Sequence, residues 1–425
     1  MERIALPPGW PAPSRRRTFA RLASCTWTRC LIVVEQHDLD TSWSLIDDDS
    51  KVLQAAETLA AGQGPAGVDA ERASGFRYGA EAYLVQVHRR GSGTFLFDPT
   101  GIADFSPLAE ALEHEEWVLH AASQDLACLD DLGLVPSRLF DTELASRLLG
   151  FERVGLGTIV EQLLGIRLSK AHSAADWSTR PLPNSWLEYA ALDVALLPEL
   201  RDAVAAELEA QGKEDIAQQE FESVRTRAPK PPTPEPWRKL AGGNRLRAAR
   251  ELALARELWN ARDALARERD IAPGRLLPDA SLVAAAAQNP RSRGELASNK
   301  DFRGRASRSD LDRWWQAILR GKTAELPAPK LRDPEAIPHH RGWSQRFPEA
   351  AERLALAREA ISAEAARQRM PVENLLPPDA LRRLVWQPPT PATTESVAAV
   401  LREHGAREWQ IVLTAAILAP ILVES

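Results

Sequence analysis

Cysteine is scarce in this chain of 425 residues: Cys25, Cys30 and Cys128 make an odd count with no CxxC spacing. That excludes a disulfide framework and a thiolate zinc site, and it suits a reducing cytoplasm. Long apolar runs are missing too. The longest, residues 409–423, falls short of the roughly 20 residues a spanning helix needs, so it predicts a buried helix and no membrane partner. The eight histidines, among them His120, form no HxxxH or HExxH pair, so no helical zinc site is expected. Arg320-Gly321-Lys322-Thr323 has the end of a phosphate loop, but the motif's first glycine would fall at Gln316; no nucleotide cofactor is expected. An apolar signal core is absent as well. Arg15, Arg16, Arg17, Arg21 and Arg29 crowd the start, and Arg21 interrupts the stretch of about 7–15 apolar residues that a secretory signal requires. Residues 1–42 therefore read as a disordered or wrongly started extension outside the fold.

What is present is a division by charge. The net charge of −6 conceals 13 basic and 31 acidic residues over 43–224, against 24 basic and 12 acidic over 225–332. Carboxylates gather metal cations while lysines and arginines gather phosphates, so a division of labour is expected. The length exceeds what one core organises. Proline-rich stretches mark the boundaries: a domain at 43–222, a linker at 223–240, a basic domain at 241–325, a linker at 326–347 and a last domain at 348–425.

From residue 43 to 222, short β-like runs alternate with helical ones. Residues 66–70, 82–87 and 94–97 read as strands. A helix over 106–116 with Pro107 in its first turn, a strand at 117–121, a helix at 124–132 and a strand at 138–140 follow. Helices at 142–149 and 157–164 precede one long helix that starts near Asn184 and carries an apolar stripe through Leu200. Three adjacent strands followed by this alternation predict a mixed sheet flanked by helices. The rest is helical and repeats one plan: a long helix (244–270, then 348–369), a stretch from a proline to Leu-Leu-Pro (Pro273 to Pro278, then Pro371 to Pro377), a short helix and a proline stop. Such a repeat means two copies of a small helical domain.

Three short patterns carry chemistry. Asp69-Ala70-Glu71 closes the first strand, where residues i and i+2 face one side and both carboxylates reach one ion. Asp125 opens a helix after the fourth strand, a place an acid also takes as a partner of the helix dipole. Tyr189 and Asp193 share a helix face bordered by Ala and Leu, where an inward carboxylate is costly unless paired or bound to a metal. Each pattern alone has a bland counterpart: a charged surface strand, a dipole partner, a packed tyrosine beside a solvated acid. Their order along the chain is the three-motif signature of DEDDy exonucleases.

Further blocks agree: Val68-Asp69-Ala70-Glu71-Arg72, Tyr83-Leu84-Val85-Gln86-Val87, Phe97-Asp98-Pro99, Phe140-Asp141-Thr142 and the run from Asp176-Trp177 to Pro181-Leu182. On these residues, positions 43–220 resemble the exonuclease domain of the ribonuclease D family. The two helical repeats resemble the HRDC domain that follows it twice. The resemblance implies an α/β, ribonuclease H-like exonuclease domain and two all-α HRDC-like helical bundles. It implies hydrolysis of RNA from a free 3′ end to nucleoside 5′-monophosphates, in tRNA 3′ maturation, with tRNA precursors as substrates, or in structured-RNA processing. It also implies two divalent ions, Mg²⁺ or Mn²⁺, which suit carboxylate oxygens. Asp69, Glu71 and Asp193 would hold the ion on the nucleophile side, Asp69 would bridge to a second ion supported by Asp125, and Tyr189 would orient the attacking water.

RNA contacts are expected from two places. Lys170 and Arg180 lie in a polar loop before the catalytic helix and either touch the RNA backbone or fix the loop. Arg291, Arg293, Lys300, Arg303, Arg305 and Arg308 surround only Glu295 and Asp301; such a segment follows phosphates without reading bases, or is a solvated basic loop. The last domain, net −2 over 333–425, reads as a structural or spacing module. Two rival functions share the motifs: a 3′→5′ exonuclease acting on DNA, and a non-catalytic nucleic-acid binding protein.

Overall fold

The computed structural model describes residues 34–35, 42–168, 175–228, 231, 233–328 and 336–423. The arginine-rich start, Cys25, Cys30 and Lys170 lie outside the described residues. The first part of the chain runs β1 (Val34–Glu35), β2 (Trp43–Ile46), α1 (Asp49–Ala60), β3 (Gln63–Arg72), β4 (Ala82–Arg90), β5 (Gly93–Phe97), α2 (Ser106–Leu112) and β6 (Glu116–Leu119). It continues through α3 (Leu126–Asp130), β7 (Arg138–Asp141), α4 (Thr142–Leu148), α5 (Leu156–Leu164), β8 (Ile166–Arg167), α6 (Asn184–Ala195), α7 (Leu197–Gln211) and α8 (Glu214–Arg225).

Six strands form one mixed sheet in the order β2-β5-β4-β3-β6-β7. Strand β4 is antiparallel to β3 and β5, and the other pairings are parallel. The β4–β5 hairpin turns at Gly91-Ser92, where Gly91 has φ +80°, a conformation that costs glycine little. Alternation along β3 sorts its two faces. Val68 and Ala70 enter a core with Val52 and Leu59 of α1 and Leu108 and Leu112 of α2. Gly67, Asp69 and Glu71 face the opposite side, against the junction of α6 and α7.

Three expectations are corrected. The long helix from Asn184 is two, α6 and α7, broken at Leu196. Pro198 sits in the first turn of α7, where its missing N–H is tolerated, but it cannot continue the hydrogen bonding of α6. The helix expected at 124–132 is shorter: a 3₁₀ turn at Ala122–Gln124 leads into α3, and Asp125 is the cap between them. Within the segment expected to lie outside the fold, Val34 and Glu35 pair in parallel with Ile166 and Arg167.

The helical remainder holds α9 (Ala249–Arg269), α10 (Pro273–Leu276), α11 (Asp279–Gln288), α12 (Arg293–Ser298), α13 (Ala306–Ser309) and α14 (Leu311–Thr323). Then come α15 (Trp343–Arg346), α16 (Pro348–Arg367), α17 (Val372–Leu375), α18 (Pro378–Trp386), α19 (Thr394–Glu403) and α20 (Glu408–Val423). Helices α9–α14 close on a core of their own around Leu254, Leu258, Phe302 and Trp314. Gly321, in the segment that looked like a phosphate loop, lies within α14, and a Cβ there would come 2.9 Å from Leu254 Cα on α9. That glycine allows two helices to approach. The apolar run at 409–423 falls within α20, whose Trp409, Ile411, Leu418 and Leu422 are buried. Among the described residues, no helix is long and apolar enough to cross a membrane.

Candidate active site

The site is assembled on β3 by a close approach. A Cβ at Gly67 would lie 2.7 Å from the carbonyl oxygen of Val194 and 3.1 Å from Leu197 Cβ. Only glycine lets the end of α6 rest directly on the strand, and this brings Asp193 over Asp69. Asp69, Glu71 and Asp193 each offer an oxygen within 4.8 Å of the others. One turn earlier on α6, the Tyr189 hydroxyl is hydrogen-bonded to the Asp193 carboxylate. The helix is seated by Ala190 and Ala191, which pack on Leu84 and Leu96 of the sheet together with Trp177. Trp177 is buried and meets Trp186 edge-on, with centroids 5.3 Å apart.

Asp125 arrives from the other side of β3. Ala121 adopts φ +66°, and Asp141 holds that turn by accepting the N–H groups of Ala121 at 3.1 Å and Ala122 at 2.9 Å. The same carboxylate caps α4 through the N–H groups of Glu143 and Leu144, both at 3.0 Å. Asp125 stands outside the group of three and pairs with Arg72, Nη2 to Oδ1 at 3.2 Å. Neither Arg72 as its partner nor Asp141 as its support was singled out from the sequence. Gly67, two residues before Asp69 on the same strand face, was the available signal for the helix contact.

The electrostatics follow from burial. Desolvation pushes the Asp69 carboxyl up to about 6, against the Ala70 N–H and Arg72. It raises Glu71 to about 9, with Asp69, Asp193 and Asp125 adding repulsion. Burial and then Asp69 raise Asp125 and Asp193 to about 8, opposed by Arg72 at the first and by the Tyr189 hydroxyl at the second. Four carboxyls that resist shared ionisation are what an added cation would relieve. Burial and Asp193 push the Tyr189 hydroxyl well above the ordinary tyrosine range, so at neutral pH it is an orienting group and not a base. His120 lines the same cleft; burial lowers it to about 4, and its Nδ1 lies 2.9 Å from Thr142 Oγ1. The cleft encloses about 790 Å³, room for a nucleotide-sized group.

The expected RNA-contacting residues separate. Arg180 is consumed by its own loop: it forks onto Asp98 with two contacts of 2.6 Å and donates to the carbonyls of Trp177, Thr179 and Tyr83. These contacts fix the loop, one of the two roles expected of Arg180. Arg291, Arg293, Lys300, Arg303, Arg305 and Arg308 are exposed on the α11–α14 side of the first helical unit and line no part of the cleft among the described residues. Arg293 pairs with Asp312, and Arg303 donates to the Lys300 carbonyl.

Residues 44–209 match a family described as 3′–5′ exonuclease. Residues 251–318 match the HRDC domain, and residues 336–422 match a family described as 3′ to 5′ exonuclease C-terminal domain. The chain is 34% identical over 261 residues to ribonuclease D of Pseudomonas paraeruginosa, spanning 60% of this chain and 68% of that protein. It is 35% identical over 213 residues to ribonuclease D of Escherichia coli, spanning 49% and 56%. Among solved structures, a protein from Bifidobacterium adolescentis superposes with TM-score 0.82 at 39% identity, covering 90% of this chain and 97% of the other. The E. coli RNase D structure, described as an exoribonuclease involved in structured RNA processing, gives TM-score 0.67 at 26% identity over 90% and 99%.

Proposed function

This chain belongs to the ribonuclease D family and is a 3′→5′ exoribonuclease, and on that premise we propose that Asp69, Glu71, Asp125, Tyr189 and Asp193 are its catalytic residues. The observation that carries the assignment is the convergence of the Asp69, Glu71 and Asp193 oxygens within 4.8 Å, with Asp125 beside them. An oxygen-only donor set of this kind fits hard divalent cations, Mg²⁺ or Mn²⁺. Bound there, two such ions supply a nucleophilic water at neutral pH and stabilise the departing 3′ oxygen.

Asp69 adds repulsion to the carboxyls of Glu71, Asp125 and Asp193, so it lies near all three and would serve both ions. Glu71 and Asp193 would hold one ion together with Asp69. Asp125, paired with Arg72 in the metal-free protein, would hold the other. The Tyr189 hydroxyl keeps its proton and orients the attacking water from the face it shares with Asp193. Product leaves as a nucleoside 5′-monophosphate.

The substrates are RNAs with a free 3′ end, tRNA precursors among them, and the compartment is the cytoplasm, as the cysteine usage suggests. The exposed basic residues of the first helical unit follow RNA phosphates in this reading. The second unit is a further HRDC-like copy; in support, a long helix, a one-turn helix and a short helix follow one another in α9–α11 and again in α16–α18.

The test is digestion of 3′-labelled RNA and DNA of one sequence with Mg²⁺ or Mn²⁺, comparing wild type with Asp69→Asn. The wild type should degrade RNA and the variant should not. Equal digestion by both proteins would overturn the site, and faster digestion of DNA would favour the deoxyribonuclease reading. A tRNA carrying a 3′ extension, shortened to its mature end, checks the substrate assignment.

A further inference from the structure

One wall of the catalytic cleft contains a cation with no task in the chemistry above. Arg153, Gly155 and the first turn of α5 line that wall. Among the described residues, two arginines line the cleft. Arg72 is paired with Asp125. Arg153 is exposed, and no hydrogen bond or ion pair reaches its guanidinium among the described residues. The acid on its own wall does not neutralise it, since Glu161 accepts both Nε and Nη2 of Arg167 at 3.2 and 3.0 Å. A planar guanidinium at the rim of a cleft lined with carboxylates is suited to a group that carries negative charge into that cleft, and a phosphate takes two of its N–H donors at once. The start of α5 has no side-chain cap, so it adds positive potential on the same wall.

Resting on the reading of this cleft as the catalytic one, we propose that Arg153 binds the RNA backbone phosphate one linkage upstream of the scissile bond and sets the register of the 3′ end over the carboxylates. The scissile phosphate belongs to the carboxylate cluster and its ions; the next phosphate lies beyond them and needs a counter-charge of its own. Arg153 is thus a substrate-positioning residue, and its loss raises KM.

The experiment is steady-state cleavage of a short 3′-labelled oligoribonucleotide with Mn²⁺ over a range of salt, using full-length wild type, Arg153→Gln, Arg153→Lys and Asp69→Asn. Arg153→Gln should raise KM about tenfold, the worth of one lost charge-assisted contact, with kcat within about twofold. The slope of log kcat/KM against log salt should flatten by about 0.7, the signature of one phosphate contact on a single strand. Arg153→Lys should recover part of the loss. A substrate with a neutral methylphosphonate at that linkage should be cleaved alike by wild type and Arg153→Gln. Unchanged KM and salt slope, a fall in kcat alone, or additive effects of the variant and the methylphosphonate would each overturn the proposal. Failure here leaves Asp69→Asn inactive, whereas failure of the catalytic assignment leaves Asp69→Asn active, so the two are distinguishable.

Discussion

The two helical units share an order of elements and join the exonuclease domain by opposite means. Among the described residues, the core of the second unit is continuous with that of the exonuclease domain. Its Leu354, Leu376, Leu401 and Leu418 pack in one cluster with Leu148 of α4, Leu208 of α7 and Phe221 of α8. Glu220, buried on α8, pairs with Arg407 and accepts the Trp409 indole N–H at 2.9 Å. Lys213 is buried between the ends of α4 and α16 and donates to the carbonyls of Leu148 at 2.5 Å and Gln368 at 2.6 Å. A cation there answers the negative ends of two helix dipoles at once.

The first unit keeps its own core and touches the exonuclease domain through residues 75–78, directly after β3. Tyr78 donates to Asp263 at 2.9 Å, the Ala272 N–H donates to the Phe76 carbonyl at 2.9 Å, and Arg275 stacks on Phe76 at 3.8 Å. Arg77 bridges Asp270 at 3.1 Å and Ser178, in the loop beneath α6, at 2.7 Å. Apolar burial cannot be undone without exposing both faces, whereas a polar contact exchanges its partners for water at small net cost. The second unit is thus part of the same packed body as the exonuclease domain, and the first is a separately cored basic arm.

Substitutions at the two interfaces test this contrast. Glu220→Ala should have the largest effect, about 3 kcal/mol in urea denaturation, because it strands Arg407 and the Trp409 N–H in a buried interface; a change below about 1 kcal/mol, the level of a surface pair, would mean the shared core does not depend on it. Mn²⁺ at a hundredfold excess over its Kd should stabilise by about 2.7 kcal/mol. That shift should raise the melting transition of the exonuclease domain and second unit together, and leave the transition of the first unit in place. The sign with pH is set by raised carboxyl values of about 6 to 9 in the folded, metal-free protein. Their protonated forms stabilise the fold fully below the unfolded carboxyl pKa values, and that contribution is lost as pH rises through the folded ones. The Mn²⁺ shift in calorimetry should therefore be larger at pH 8.5 than at pH 6; the reverse order would contradict the buried-carboxyl picture.

Smaller effects follow. Lys213→Met should cost about 2 kcal/mol through two buried carbonyls left without a donor, read from the same denaturation curves. Tyr78→Ala should cost about 1 kcal/mol at most, by loss of one hydrogen bond and its cation–π contact with Arg267. It should leave dinucleotide cleavage unchanged while weakening binding of longer RNA in a filter or polarisation assay. Equal losses from Tyr78→Ala and Glu220→Ala would erase the distinction between arm and body.

Much of this was legible because it is local. The alternation in β3 puts Asp69 and Glu71 on one face, and the four-residue spacing puts Tyr189 and Asp193 on another, whatever the rest of the chain does. The break at Leu196 was hidden because the apolar stripe continues across it from Val194 to Leu197 and Leu200. Arg180 read two ways because its acceptors come from Asp98, Tyr83 and Trp177, which no spacing connects. Charge separated the two repeats but did not reveal that the near-neutral one shares a core with the exonuclease domain, since burial on α8 depends on which partner faces Phe221.

Residue order alone makes the chemistry available here: acids in a particular order, a basic segment after them, and helices to the end. Those follow from residue type and short-range periodicity. Only the tertiary structure decided which acids meet, because Gly67 must admit Val194 and Leu197 before Asp193 can reach Asp69. It also decided that Asp125 waits on Arg72, that Arg180 is spent on its loop while Arg153 is not, and that one repeat belongs to the body. Contacts between distant segments set distance and solvent access, and those two quantities turn a carboxylate into a ligand.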